Sequence, residues 1–181
     1  MAGKRIWSQW AKQRYSIYRE HILADLRAQD VDTTYCGVDK TKFFEVLNEE
    51  TQSAILYNMR ELSCILRETA ADTKTPRNLQ LLWSFFKQKG IAIDYSIFEG
   101  LSPDVHFDVY DMDGNCKMIS PRIFEITQCS VDEVFCKGAG SLHPLDRVGS
   151  QTLRLVKNVK IRSKYEGWSG FCTLSEPLQK Q

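Results

Sequence analysis

Apolar positions recur along this chain with two periods, and the change from one to the other divides it. Trp7, Ala11, Tyr15, Tyr18, Ile22 and Leu26 fall three or four residues apart. They therefore share one face of a first helix, with Arg, Lys and Gln on the other side. After a turn at Cys36-Gly37, Phe43, Phe44, Val46 and Leu47 open a second helix. Ile55, Leu56, Met59, Leu62 and Leu66 stripe a third, longer one that Thr51 is placed to cap, and Ala70–Thr73 reads as a linker. Thr75-Pro76 restarts a helix, because threonine caps and proline is preorganised for a first turn. Leu79, Leu82, Trp83 and Phe86 line it, and Gly90 stops it behind Lys87 and Lys89, whose charges suit the carbonyl end.

Near residue 104 the period shortens to two. Val105, Phe107 and Val109 alternate with His106, Asp108 and Tyr110, as in a half-buried strand. Asp111–Asn115 reads as a hairpin turn, and Cys116 and Met118 flank Lys117 in a return strand. Ser120 and Pro121 predict the cap and first position of a helix with Ile123, Phe124 and Ile126 on its apolar side. Ser130-Val-Asp-Glu133 matches a capping box for another. Gly138 and Gly140 open a loop that His143-Pro144 ends. Alternation then returns at Leu153, Leu155, Val159 and Ile161 and again over Phe171–Leu174. Hairpins at both ends imply antiparallel pairing. The fold class is α+β: a helical N-terminal half, residues 1–74, then a small antiparallel sheet with short helices, residues 75–181.

Composition adds little to this, but charge adds a pattern. The 181 residues are 43% hydrophobic and 26% charged, within the ordinary range of globular chains. No apolar run is long enough for a membrane helix, and the basic N-terminus lacks the apolar core of a secretory signal. A cytoplasmic protein with reduced cysteines is expected, and membrane contact is not. The net charge of +1 hides segregation. Residues 1–19 carry five cations and no acid, residues 92–133 carry nine acids, and residues 147–164 carry six cations and no acid. Basic ends of this kind suit an anionic partner or the acidic middle of another copy.

Three chemistries are testable on the residues. Asp111, Asp113 and Asn115 stand at the first, third and fifth positions of a calcium loop, but Cys116 and Arg122 occupy the places of its glycine and its bidentate glutamate. A turn accounts for them better, and no metal is expected. The six cysteines form no C-x-x-C pair. Cys129 and Cys136 lie near His143 in sequence, which leaves a cysteine-dependent hydrolase as one alternative, without a local signature to support it. No phosphate loop, nucleophile elbow or zinc-protease motif is present.

"DMDGNCKMIS", "PRIFEITQCSVDEV" and "HPLDR" together resemble the PAS sensor domain. The upstream "LLWSFFKQKGIAIDYSIFEGLSPDVHFDVYD" looks like the leader of PAS domains in some bacterial LuxR-type regulators. The likeness covers residues 81–147. Ser120 or Pro121 stands where the family has asparagine, and Thr127-Gln128-Cys129 where it has Thr-Gly-Tyr. The resemblance implies an antiparallel sheet packed on short helices, with the 105–119 hairpin and the 151–174 strands in one sheet. It also implies an interior space lined by Phe107, Val109, Met118, Ile123, Phe124, Ile126, Val134, Phe135 and Leu142. His106 and His143 could ligate haem but have no motif around them, so no cofactor is expected. No helix-turn-helix follows, so direct DNA binding is not implied.

The expected function is a non-enzymatic sensory or protein-interaction module of PAS type that signals through dimerisation. The helix carrying Trp7, Ala11, Tyr15, Tyr18, Ile22 and Leu26 is its expected interaction surface, toward a second copy or another protein, with docking onto the helices at 43–66 of its own chain as the alternative. The main alternative is a helical adaptor or scaffold of viral or mobile-element origin with no sensor role.

Overall fold

The computed structural model describes residues 2–72, 78–102, 105–138 and 153–177. The α+β reading holds. Helices α1 (Ala2–Arg27), α2 (Lys42–Glu45), α3 (Glu49–Asp72) and α4 (Asn78–Gln88) come first, followed by a 3-10 turn at Tyr95–Phe98. The hairpin β1 (His106–Asp111) and β2 (Cys116–Ile119), helices α5 (Ile123–Thr127) and α6 (Val131–Lys137), and strands β3 (Leu153–Arg162) and β4 (Ser169–Pro177) complete the order. The strands form one antiparallel sheet in the order β2-β1-β4-β3. The 74/75 boundary, the Thr75-Pro76 cap, Leu142 and His143-Pro144 lie outside the described residues.

Several local expectations are corrected. The third helix begins at Glu49, not behind Thr51, and the Asn48 side chain caps it by accepting from Thr51 N–H at 2.8 Å. It continues through Asp72, where a linker was expected, because alanine propagates a helix well. The second helix is a single turn. Ser120 does not cap α5: its hydroxyl accepts from Phe107 N–H across the hairpin at 3.1 Å, and Arg122 stands at the cap. By contrast, Ser130 and Glu133 form the reciprocal capping box, and Gly90 ends α4 with φ +60°, the left-handed conformation that glycine adopts without strain.

The face of α1 expected to meet a partner is covered by its own chain. Ala11, Tyr15, Ile22 and Leu26 are fully buried, and Trp7 and Tyr18 are half-buried. Tyr15 stacks on Phe44 at 4.1 Å between ring centres. Trp7 Nε1 donates to Gln52, and Asp25 accepts from both Ser63 and Arg67, so α1 is tied along the length of α3. A second copy cannot use the four buried residues as a surface. The correction has a simple cause: periodicity shows that a face must be buried, not against what.

At the far side of α1 lies a buried carboxylate. Asp132 accepts from Tyr15 Oη at 2.5 Å, Arg19 Nε at 3.2 Å and Lys40 N–H at 2.8 Å. Burial raises the Tyr15 phenol far above its usual range, with Cys136 and Asp132 adding to it, so Tyr15 remains a donor. Arg19 also donates to Gly37 O at 2.5 Å. One side chain of α6 thus fixes α1 and the 37–40 loop.

One buried apolar cluster runs from Ala11 to Leu174 through every helix and the sheet. Phe124 points into it, so Phe124→Ala should cost about 3–5 kcal/mol and lower the melting temperature sharply. Asp132→Ala takes the shared acceptor from Tyr15, Arg19 and the Lys40 N–H, while Arg19 keeps Gly37 O and Glu20, and should cost about 3 kcal/mol. The Arg19→Met/Asp132→Leu double variant, which leaves no orphaned charge, should recover much of that loss in denaturant melts. A double variant no better than Asp132→Ala would show that the charge pair itself is not what holds α1.

Candidate functional site: the two sides of the sheet

Cross-strand partners share a side of a sheet, so the register sorts its residues. Phe107 faces Leu174, and Val109 faces both Cys172 and Met118. Val159 and Ile161 continue this side across β3. All are buried except Val159, which is partly so. Helices α3 and α4 lie against β2 and β1. The Lys157 ammonium reaches from this side to Ile97 O in the 3-10 turn. This is an ordinary apolar interface.

The other side is different. His106 pairs with Ser175, Asp108 with Thr173 and Ile119, and Tyr110 with Phe171 and Cys116. His106, Asp108, Tyr110, Cys116 and Ser175 are all buried there. Asn78 Nδ2 lies 3.5 Å from His106 Nδ1. Polar side chains are rarely buried unless they are hydrogen-bonded, because desolvation is costly. Yet Tyr110 Oη, with 5% of the residue exposed, has no hydrogen-bond partner among the described residues. Burial pushes its phenol well up, and Cys116, Asp108 and Cys129 add to the shift. Cys129 sits in the link between α5 and α6, so that link lies close to the polar side.

The residues expected to line an interior space are placed as follows. Phe107, Val109, Met118, Ile123, Phe124, Val134 and Phe135 are buried, and Ile126 is half-buried. Phe107, Val109 and Met118 share the apolar side, away from Tyr110. The polar set was missed because alternation in a strand is read as inside against outside, whereas β1 is buried on both sides. The only sequence signal for it was an aromatic residue, Tyr110, at a position assigned to solvent.

The hairpin turn uses its acids internally. Asp111 accepts from Asp113 N–H, Asn115 N–H and Asn115 Nδ2, and it pairs with Lys117 at 3.1 Å. Burial would raise the Asp111 carboxyl, but the bonds from Asn115 and Lys117 outweigh it and hold the group below its usual range. Among the described residues, no group of His, Cys, Asp or Glu is arranged to hold a metal. Burial raises the thiols of Cys36 to about 11 and of Cys136 to about 12, and pushes Cys116 and Cys172 up as well. An activated nucleophile requires the opposite shift.

A second cluster anchors the β3–β4 turn. Lys89, 4% exposed, donates to Glu166 at 2.6 Å, Glu61 at 2.8 Å and Tyr57 at 3.2 Å. Burial alone would lower the lysine, but its bonds to Glu166, Glu61 and Tyr57 hold it above its usual range. Glu166 also accepts from Tyr57 and from Trp168 Nε1.

A shallow groove of about 190 Å³ lies nearby between α1 and α3. Trp7, Trp10, Tyr18, Leu56, Tyr57 and Arg60 line it, and the Arg14 guanidinium lies 5.8 Å from the Trp10 ring centre. Among the described residues, no helix is long and apolar enough to cross a membrane.

The Lys89 cluster gives a pH test. Burial would raise Glu166, but the bonds from Lys89, Tyr57 and Trp168 lower it below its ordinary 4.5. A depressed folded value stabilises the fold above the unfolded value and loses that contribution as pH falls through the folded one. Glu166→Gln should therefore cost about 1–2 kcal/mol at neutral pH, reduced by the partial exposure of the group. The gap from the parent should close as pH drops below about 4.5. A gap that is constant down to pH 3 would place the effect elsewhere. No family model matches the chain, and no curated protein or solved structure matches it.

Proposed function

We propose that the chain is a non-enzymatic sensory module of PAS type, cytoplasmic in location, whose input site is the polar side of the sheet around Tyr110. The observation that carries this reading is the buried Tyr110 hydroxyl, without a hydrogen-bond partner among the described residues and flanked by Asp108, Cys116 and Cys129. A buried polar group in that state is either a cost to the fold or a contact for something else. The sheet order supports the same reading. The resemblance implies that the 105–119 hairpin and the C-terminal strands share one antiparallel sheet, and β2-β1-β4-β3 has that arrangement. The ligand class is a small polar molecule able to bond the phenol. The raised thiols favour a binding role over a cysteine-hydrolase role.

A second reading is favoured by the α1–α3 groove. Trp10 and Tyr57 are each 44% exposed beside it. Exposed aromatics of this kind are enriched where protein surfaces meet. In that reading the chain is an adaptor, and a protein partner or second copy docks over Trp10 and Tyr57 rather than over the buried stripe.

Tyr110→Phe separates the two. Deleting an unsatisfied buried hydroxyl should raise ligand-free stability by about 1–3 kcal/mol. Native mass spectrometry of the parent should show a small-molecule adduct, or a metabolite panel should raise its melting temperature, and Tyr110→Phe should abolish the response. A parent with no adduct and no response, and a Tyr110→Phe variant that is destabilised, would reject the sensor reading.

A further inference from the structure

We propose that the open half of the sheet's polar side, formed by β3 and the start of β4, is a binding surface for single-stranded nucleic acid. The register places Asn158 opposite Thr173, Lys160 opposite Phe171 and Arg162 opposite Ser169. Asn158, Lys160 and Arg162 are exposed, and Phe171, at 36%, is exposed among them. Toward β1 the same side closes over His106, Asp108 and Tyr110. The basic surface and the buried polar row are therefore neighbours on one side, with different solvent access.

Charge and shape select the occupant. Residues 147–164 hold six cations and no acid in a chain whose net charge is only +1. Lys157 is turned to the apolar side, and Arg154 is paired with Glu176 at 3.2 Å. Among the described residues Lys160 and Arg162 form no ion pair, and their cross-strand neighbours are Phe171 and Ser169. Residues on one side of a strand recur every ~6.8 Å, so these cations can follow a phosphate chain laid along β3. Phe171 offers a flat ring between them, and stacking on such a ring is what an unpaired base requires. Asn158 adds an amide that can both donate to and accept from a base edge. An acidic peptide would match the charges but would have no use for the ring. A duplex would hide its bases from it. Such a surface reads strands and not grooves.

The surface is also held rigidly. Ser163 Oγ donates to Lys89 O at 2.9 Å and accepts from Glu166 N–H at 3.0 Å, so the β3–β4 turn is clamped to the end of α4. Gly90 lies under the Tyr165 ring, where a β-carbon would come within 2.9 Å of it. A ligand that meets a fixed hairpin gives up less of its binding energy to ordering the protein.

The test uses the full chain and a fluorescent 12-mer of deoxythymidine in anisotropy titrations. Competitors are a duplex of the same length and a polyglutamate peptide. Binding should weaken with salt with a slope of about −1.4 to −2, from roughly 0.7 per phosphate contact and two to three contacts. Lys160→Glu/Arg162→Glu should abolish binding. Phe171→Ala should weaken it about 5-fold to 100-fold, as loss of one stacked base does. Phe171→Tyr should retain it, and melting curves should show that each variant folds. Absence of binding at 50 mM salt would overturn the proposal. So would equal binding of parent and charge-reversed chains. Competition by polyglutamate at equal charge, with Phe171→Ala unaffected, would overturn it in favour of an acidic protein segment. Lys160→Glu/Arg162→Glu lies on β3, two strands from Tyr110 on β1, and should leave the adduct or melting response of the sensor test unchanged, so the two tests fail independently.

Discussion

The buried carboxylate of Asp132 sets the arrangement of the molecule. A charge with no exposed surface is tolerated only when its oxygens are filled, because removing it from water costs several kcal/mol. Its three partners come from two places: Tyr15 and Arg19 on α1, and the backbone of Lys40 in the following loop. None can move alone without leaving a buried polar group unpaired. Tyr15 and Arg19 are four residues apart, so the same turn of α1 that presents Tyr15 to Phe44 also presents Arg19 to the carboxylate. Asp132 further lies in the first turn of α6, where the helix dipole favours a negative charge. Burial of this kind specifies an arrangement more than it adds stability. It explains why α1 is committed to its own chain.

With α1 so placed, α3 lies against β2 and α4 against β1, while β3, at the far edge of the sheet, leaves Asn158, Lys160 and Arg162 exposed. That division produces the two candidate surfaces. Toward β1 and β2 the polar side is closed and carries the Tyr110 hydroxyl. Toward β3 it is open and carries Lys160, Arg162 and Phe171. One sheet thus offers a desolvated polar site, where a hydrogen bond is strong, and a solvated cationic one, where contacts are screened but reachable.

Much of this was legible in the residues. The switch of apolar period near 104 located β1, Asp111-Met-Asp-Gly identified the hairpin turn, and Ser130–Glu133 located α6. What stayed hidden depends on tertiary contact. The stripe on α1 announced a buried face and left open a partner or the helices at 43–66; the fold decides for the latter, α2 and α3. Ser120 reads as a cap because it precedes proline, yet the proximity of Phe107 across the hairpin claims its hydroxyl. Lys89 reads as a charge at a helix end, and its burial follows from Glu61 and Glu166, 28 and 77 residues away. Asp108 and Tyr110 look like solvent positions because a two-residue period cannot distinguish a sheet covered on one side from one covered on both.

The link between α5 and α6 joins these features mechanically. Cys129 lies close enough to Tyr110 to influence its phenol, and Ser130, the next residue, is the cap of α6. Asp132 follows within the first turn. Ser130 bonds Glu133 in both directions, and Glu133 pairs with Lys40 at 2.9 Å, so cap and first turn move as one body. A displacement of the α6 cap is therefore a displacement of the Asp132 carboxylate. Tyr15, Arg19 and Lys40 must follow it or lose their bonds. The geometry that made α1 unavailable as a free surface makes it the element most directly tied to the polar side of the sheet.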